Sequence, residues 1–170
     1  MRTVWFTGLP CSGKTTLAAA LVARLNLTAD PPWPHVHLDG DVVRTGLNID
    51  CDFSDAGRRE NLRRVAHVCR IFNDRHIETF CSFIAPLQFQ RDMISMIADV
   101  VWVYCDCPPE VCEARDVKGM WAKARAGEIE GFTGVDAPYE IPAKAIHVDT
   151  EHLSVEEGVD FLWATLSLSE

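Results

Sequence analysis

Eight consecutive residues, Gly8, Leu9, Pro10, Cys11, Ser12, Gly13, Lys14 and Thr15, fit the pattern G-x-x-x-x-G-K-[ST] without a mismatch. The pattern has a mechanism. Its glycines let backbone N–H groups curl around phosphate oxygens, and the N-terminus of the next helix adds partial positive charge. Lys14 is placed to reach the β- and γ-phosphates, and the hydroxyl of Thr15, with Thr16 beside it, to take a Mg²⁺ position. These residue types predict a nucleotide held through its phosphates. No Asn-Lys-x-Asp guanine-reading motif occurs in the chain, which argues against a GTPase and leaves ATP as the expected nucleotide. Cys11 occupies a variable position of the loop, so its thiol is read as incidental.

Two carboxylates come next. Asp39 and Asp41 end a β-rich run, His35 to Asp39, and so fall at the carboxyl edge of a sheet, where ligands of open α/β folds bind. A carboxylate beside a phosphate loop can orient an attacking hydroxyl, accept its proton or hold Mg²⁺ through water. Asp41 is positioned to cap the following helix, whereas Asp39 has no structural duty at a strand end and is read as the chemical residue. Cations gather in two segments, 58–70 and 115–125, which hold nine of the 16 Lys and Arg of a chain whose net charge is −9. An acidic protein that concentrates its cations suits a small anion rather than duplex nucleic acid. Two solvated helix faces would give the same count.

The elements that must position these groups alternate. Strands are expected at 3–7, 35–39, 77–84, 99–105 and 145–149, and helices at 14–26, 41–46, 54–74, 87–97, 108–114, part of 116–126, and 154–166. Strands separated by helices imply right-handed crossovers and a mostly parallel five-stranded sheet covered on both faces, an α/β three-layer sandwich in a single domain, 1–170. In 54–74 the residues Leu62, Val65, Cys69 and Phe72 form a core-facing stripe, while Arg58 and Asn61 project together from its N-terminal end. Glu60 and Arg64 make an i,i+4 surface pair. In 154–166, Ser154 and Glu157 have capping-box spacing, and Val155, Val159, Leu162 and Leu166 are expected to face the core. The segment 115–135 carries four cations and, with Gly119, Gly127, Gly131 and Gly134, reads as a lid over the site. Gly131 and Gly134 bracket Phe132, an arrangement expected to present its ring rather than bury it.

Composition sets the class. Of 170 residues, 48% are hydrophobic and 24% charged, as in folded globular proteins and unlike disordered ones. Seven cysteines, with no C-x-x-C pair, read as reduced thiols in a cytoplasmic protein rather than as a metal site or a disulfide framework. No apolar run reaches the ~18 residues of a membrane span, and strand-like sequence begins at Thr3, where a signal peptide would lie.

The motifs together resemble one family, the adenylylsulfate (APS) kinases, ATP-dependent kinases of the P-loop fold. The likeness runs through Gly8 to Thr16, Leu38 to Leu47, and Phe53, Ser54 and Asp55 with Arg58, Glu60, Asn61, Arg63 and Arg64. It resumes at Cys112 to Gly119, Lys123 to Ile129 and Gly131 to Glu140. The resemblance implies transfer of the γ-phosphoryl of ATP to the 3′-hydroxyl of adenosine 5′-phosphosulfate, giving PAPS, in sulfate assimilation, by an enzyme that is commonly a homodimer. It implies that Asp39 lies at the acceptor hydroxyl. By the same likeness Arg44, Arg58, Asn61 and Lys118 bind the phosphosulfate and ribose, and Phe53 and Phe132 sandwich the adenine. Asp41 and Ile84 also go to the acceptor side, and Arg115 to the nucleotide.

One stretch departs from the family. Where members usually read Phe-Ile-Ser-Pro-Tyr-Arg, this chain has Phe83, Ile84, Ala85, Pro86, Leu87 and Gln88. Ala85 rules out a phosphoserine at that position, and Gln88 removes an anion contact. Two other readings stand beside the first: a kinase of the same architecture acting on another nucleotide-type hydroxyl, and a nucleotide-binding sensor that does not turn over. Lys14, Thr15 and Asp39 are all intact, which argues against the sensor.

Overall fold

A computed structural model describes residues 1–28 and 34–168. β1 (Thr3–Thr7) is buried along its whole length, which explains why it is continuously apolar or Thr rather than alternating. It lies at the centre of a sheet ordered β2-β3-β1-β4-β5, with β2 (His35–Asp39), β3 (Glu78–Ser82), β4 (Val100–Asp106) and β5 (Ile146–Asp149). Every pairing is parallel. All five expected strands form, their ends within two residues of the expected positions.

The two faces of the sheet have separate cores. Val4, Phe6, Val103 and Val148 pack with Leu17, Leu21 and Leu25 of α1 (Lys14–Thr28). Trp5 and Cys81 point the other way, against Leu62, Val65 and Cys69 of α3 (Asp55–Asn73) and Ile94 of α4 (Gln88–Ile97). α2 (Gly40–Arg44) lies between β2 and α3 in the chain, α5 (Pro109–Ala114) and α6 (Met120–Arg125) between β4 and β5. α7 (Val155–Thr165) completes the layer of α1. No helix among the described residues is long and apolar enough to cross a membrane.

One core expectation fails. Val155 is 46% exposed, while Val159, Leu162 and Leu166 are buried. α7 packs closely on α1 through Gly158, where a Cβ would stand 3.0 Å from a Leu17 methyl, and Val155 is the first residue after the Ser154 cap, at the open end of the helix. In α3, Ala66 joins the stripe and Phe72 is only half-buried.

The Gly-rich segment has a core of its own. Leu9, Cys107, Cys112, Trp121, Ala124 and Phe132 form a third cluster, seating α6 beside the phosphate loop. Asp116 accepts hydrogen bonds from the backbone N–H groups of Met120, Trp121 and Ala122, which satisfies the open end of α6. Gly134 has φ +96, and a Cβ there would lie 2.8 Å from the Trp121 ring, so the close packing admits only glycine.

Candidate active site

The phosphate-loop half is built mainly from backbone. Gly8, at φ +146, leads out of β1, and a Cβ there would meet Ser12 Oγ at 2.6 Å and the Cys105 carbonyl at 2.8 Å. Cys11 takes φ +64, a left-handed turn that the N–H of Ser12 closes onto Leu9 O at 3.1 Å. Thr150, after β5, donates its hydroxyl to Ser12 O at 2.9 Å and ties the loop to the sheet. Lys14 is buried and donates Nζ to Leu9 O at 2.6 Å, folding back across its own loop. Burial pushes its ammonium below the ordinary lysine value, with nearby thiols and Asp39 acting in the opposite direction. A dehydrated ammonium attracts a phosphate more strongly than a hydrated one. Ser12 Oγ is buried and has no partner among the described residues, so its hydrogen-bonding capacity remains unused at the floor of the loop. Thr15 and Thr16 are exposed at the start of α1.

Asp39 joins this half to the other. Thr15 Oγ1 donates to Asp39 Oδ2 at 2.7 Å, and the N–H of Asp41 donates to Asp39 Oδ1 at 2.9 Å. The capping assignment is therefore corrected: α2 begins at Gly40, one residue earlier than expected, so the cap is Asp39 in an extended conformation. Asp41 lies in the first turn instead and forms an ion pair with Lys118. That hydrogen bond raises the Lys118 ammonium above its usual range. Asp39 thus has a structural duty, and the same two bonds fix the orientation of its carboxylate.

The second half is built from side chains. Arg44 lies 4.5 Å over the ring of Phe53 and donates to the Cys51 carbonyl at 2.6 Å. Arg58 stands 5.9 Å from the same ring and donates Nε to Phe53 O at 2.7 Å. Phe53 is 68% exposed, an apolar ring kept at the surface between two guanidinium groups. The Ser54 cap and a hydrogen-bonded Asp52 fix the turn that carries it. Asn61, one turn beyond Arg58, is 3% exposed and accepts from Asn48. Arg44, Phe53 and Arg58 are brought together as the resemblance implied, and Lys118 reaches Asp41 from the turn between α5 and α6. Arg115 turns to Cys107 Sγ, 3.5 Å away, at the end of α5. The Ile84 carbonyl accepts from Thr7 Oγ1, which also bonds the Tyr139 hydroxyl at 2.8 Å. The Glu60–Arg64 pair forms at 2.8 Å and is extended by Arg63 and Asp50.

Phe132 departs from expectation. Its ring is 7% exposed and stands edge-on to Trp121 at 5.3 Å, packed in the third cluster rather than presented. Asp136 accepts from the N–H groups of both Gly131 and Phe132 at 2.6 Å, and the turn so fixed directs the ring inward. Glycine permits the turn, but Trp121 supplies the apolar surface that decides where the ring goes.

The divergent 85–88 stretch is held by a residue that periodicity did not single out. Arg91 is 1% exposed and donates to Ala85 O at 2.8 Å, Glu140 O at 2.7 Å and Gln88 Oε1 at 3.0 Å. Gln88 therefore serves as an internal acceptor for a buried guanidinium, and Ala85 is held at φ +42, a backbone uncommon for alanine. Trp121, Arg91 and Asn48 were all passed over by sequence reasoning; a tryptophan inside a Gly-rich segment was the visible signal for Trp121 alone. A cavity of about 660 Å³ opens beside Tyr104, Tyr139, Asp106 and Leu9, and neither Lys14 nor Asp39 lines it.

The arrangement is a phosphate cradle, an oriented carboxylate and a cationic, aromatic second site. The family model described as adenylylsulphate kinase matches residues 1–149. The chain belongs to the adenylylsulphate kinase family. The kinase is 46% identical over 166 residues to the adenylyl-sulfate kinase of Clostridium kluyveri, covering 94% of this chain and 82% of that protein. It is 44% identical to the adenylyl-sulfate kinase of Marinobacter nauticus, covering 98% and 84%. Among solved structures it is similar to the Mycobacterium tuberculosis APS kinase in complex with AMPPNP and APS, with a TM-score of 0.89 and 40% identity over 98% of this chain and 97% of that one.

Proposed function

We propose that the kinase transfers the γ-phosphoryl of ATP to the 3′-hydroxyl of adenosine 5′-phosphosulfate. The observation that carries this reading is the double engagement of Asp39, bonded to Thr15 of the phosphate loop and to the first turn of α2. One carboxylate thereby stands between the nucleotide cradle and the cationic site, where an acceptor hydroxyl must meet a γ-phosphoryl.

In the reaction the acceptor 3′-oxygen attacks the γ-phosphorus in line, and the bond from that phosphorus to the β-γ bridging oxygen breaks. The hydroxyl proton passes to Asp39, and ADP leaves on the loop. Lys14 offsets the charge shared between β- and γ-phosphates, as a buried cation does most strongly. Thr15 Oγ1 and the Asp39 carboxylate, 2.7 Å apart, are hard oxygen donors of the kind that would hold Mg²⁺. A bound Mg²⁺ would supply charge neutralisation at the phosphates. Arg44, Arg58, Asn61 and Lys118 suit the phosphosulfate and ribose, and Phe53 offers its exposed ring to the adenine. Ile84 goes with the acceptor site, and Arg115, at the C-terminal cap of α5, with the nucleotide.

Gene-product context follows from the same reading: a cytoplasmic enzyme of sulfate assimilation, acting as a homodimer. A coupled assay of ADP release with APS, set against a panel of other nucleotides, tests the proposal. Turnover confined to APS is expected. Turnover with another nucleotide and none with APS would favour the reading suggested by Ala85 and Gln88, and no ADP with any acceptor would favour a sensor.

A further inference from the structure

Asn48 lies outside every motif used so far, yet it is fully buried and spends both amide N–H bonds on one neighbour. Its Nδ2 donates to Asn61 Oδ1 at 2.9 Å and lies 3.4 Å from the Asn61 backbone carbonyl. The backbone carbonyl can only accept, so it fixes which end of the Asn48 amide faces α3. With that end fixed, Asn61 must turn its oxygen toward Asn48, because the opposite orientation would set donor against donor. The order of command runs from backbone to Asn48 to Asn61.

Asn48 itself is anchored. Its N–H donates to Val43 O, and its carbonyl accepts from Cys51 N–H, each at 3.0 Å. The same Cys51 supplies the carbonyl that holds Arg44. Asn48 Oδ1, by contrast, is buried without a partner among the described residues. A buried unpaired acceptor destabilises a fold, and an apolar side chain of similar size would avoid it. Asn61 Nδ2 is different: it donates to no described residue and is not among the buried unpaired atoms, which leaves its N–H groups uncommitted on the helix that carries Arg58 one turn earlier.

We infer that Asn48 is a positioning residue: by holding Asn61 Oδ1 inward it directs the Asn61 N–H donors at the oxygens of the acceptor. The inference rests on the reading of Asn61 as an acceptor contact, and a double-mutant cycle separates the two. Kinetic constants for APS and ATP are measured on the full chain and on Asn48→Leu, Asn61→Ala and the combined variant, with thermal unfolding followed in parallel.

Asn61→Ala is expected to raise KM for APS about tenfold or more, as for a hydrogen bond to a charged group, with KM for ATP within about twofold. Asn48→Leu is expected to raise KM for APS about three- to tenfold, and by less than about twofold once Asn61 is alanine. Equal losses from Asn48→Leu in both backgrounds, or equal losses for both substrates, would overturn the positioning role while leaving Asn61 in the site. An unchanged KM for APS in Asn61→Ala would overturn the acceptor reading and the inference with it. If Asn48→Leu does not fold, Asn48→Ser, which is too short to bond both Asn61 oxygens, takes its place in the same cycle under the same criteria.

Discussion

The two halves of the site are made of different material. Around the phosphate loop the groups in place are backbone amides, a buried lysine and two glycines, Gly8 whose Cβ would collide with Ser12 and Cys105 and Gly13 held at φ +92. Around Phe53 they are long side chains, exposed or tied to turns, with Asp41 and Lys118 pairing from opposite sides. A backbone cradle is preorganised and accepts any triphosphate of the right shape. A side-chain site can be changed one residue at a time, which is where acceptor choice can evolve without disturbing the fold.

The two phenylalanines carry the largest expected effects. Phe132→Ala removes a packed ring from the third cluster and should lower stability by about 3–5 kcal/mol, read as a shift of the thermal or denaturant midpoint. Phe53→Ala removes an exposed ring and should leave that midpoint nearly in place. It should instead weaken APS binding by roughly 5- to 150-fold in calorimetric titration, the range of about 1–3 kcal/mol for a base stacked on an aromatic ring. ATP affinity should hold within about threefold. A large stability loss at Phe53, or none at Phe132, would erase the distinction between presented and packed rings.

Smaller effects sharpen it. Lys118→Ala breaks an ion pair whose side chains are 60% and 76% exposed, so stability should change by less than about 1 kcal/mol while KM for APS rises. Among the seven thiols, six are buried, and burial pushes those of Cys105 and Cys112 up to about 12. Cys11 alone is partly accessible. One thiol should therefore react with a disulfide reagent in the folded chain, slowly because burial also raises Cys11, and ATP should protect it. Several fast-reacting thiols would mean that the third cluster is open in solution.

How far the sequence could be read divides along the same line. The loop from Gly8 to Thr15 was legible because its geometry is local: the spacing of glycines, lysine and threonine is the geometry. The five strands, short β-rich runs between helical patterns, and the stripe on α3, a 3,4,3 spacing, were legible for the same reason. Asp39 and Asp41 were both found, but the helix cap fell to Asp39 and not to Asp41, because no sequence period fixes the residue at which α2 starts. Phe132 was misread because its place depends on Trp121, eleven positions away in the chain and 5.3 Å away in space. Asn48 and Arg91 act through buried amide, carbonyl and guanidinium contacts that only the folded chain brings together.

Asp39 is where the two halves meet, and Asp39→Asn tests that junction with little collateral change. Asparagine caps a helix about as well as aspartate: its oxygen can keep the bond from the Asp41 N–H while its NH2 takes the second oxygen's place and donates to Thr15 Oγ1, a hydroxyl that can also accept, so the local fold should persist. The measurement is kcat with saturating ATP and APS, taken beside the affinity for ATP alone. ATP affinity within about threefold of the parent and kcat lower by about 10²–10⁴ are expected, as for loss of a general base. Near-normal turnover in the variant would contradict that role.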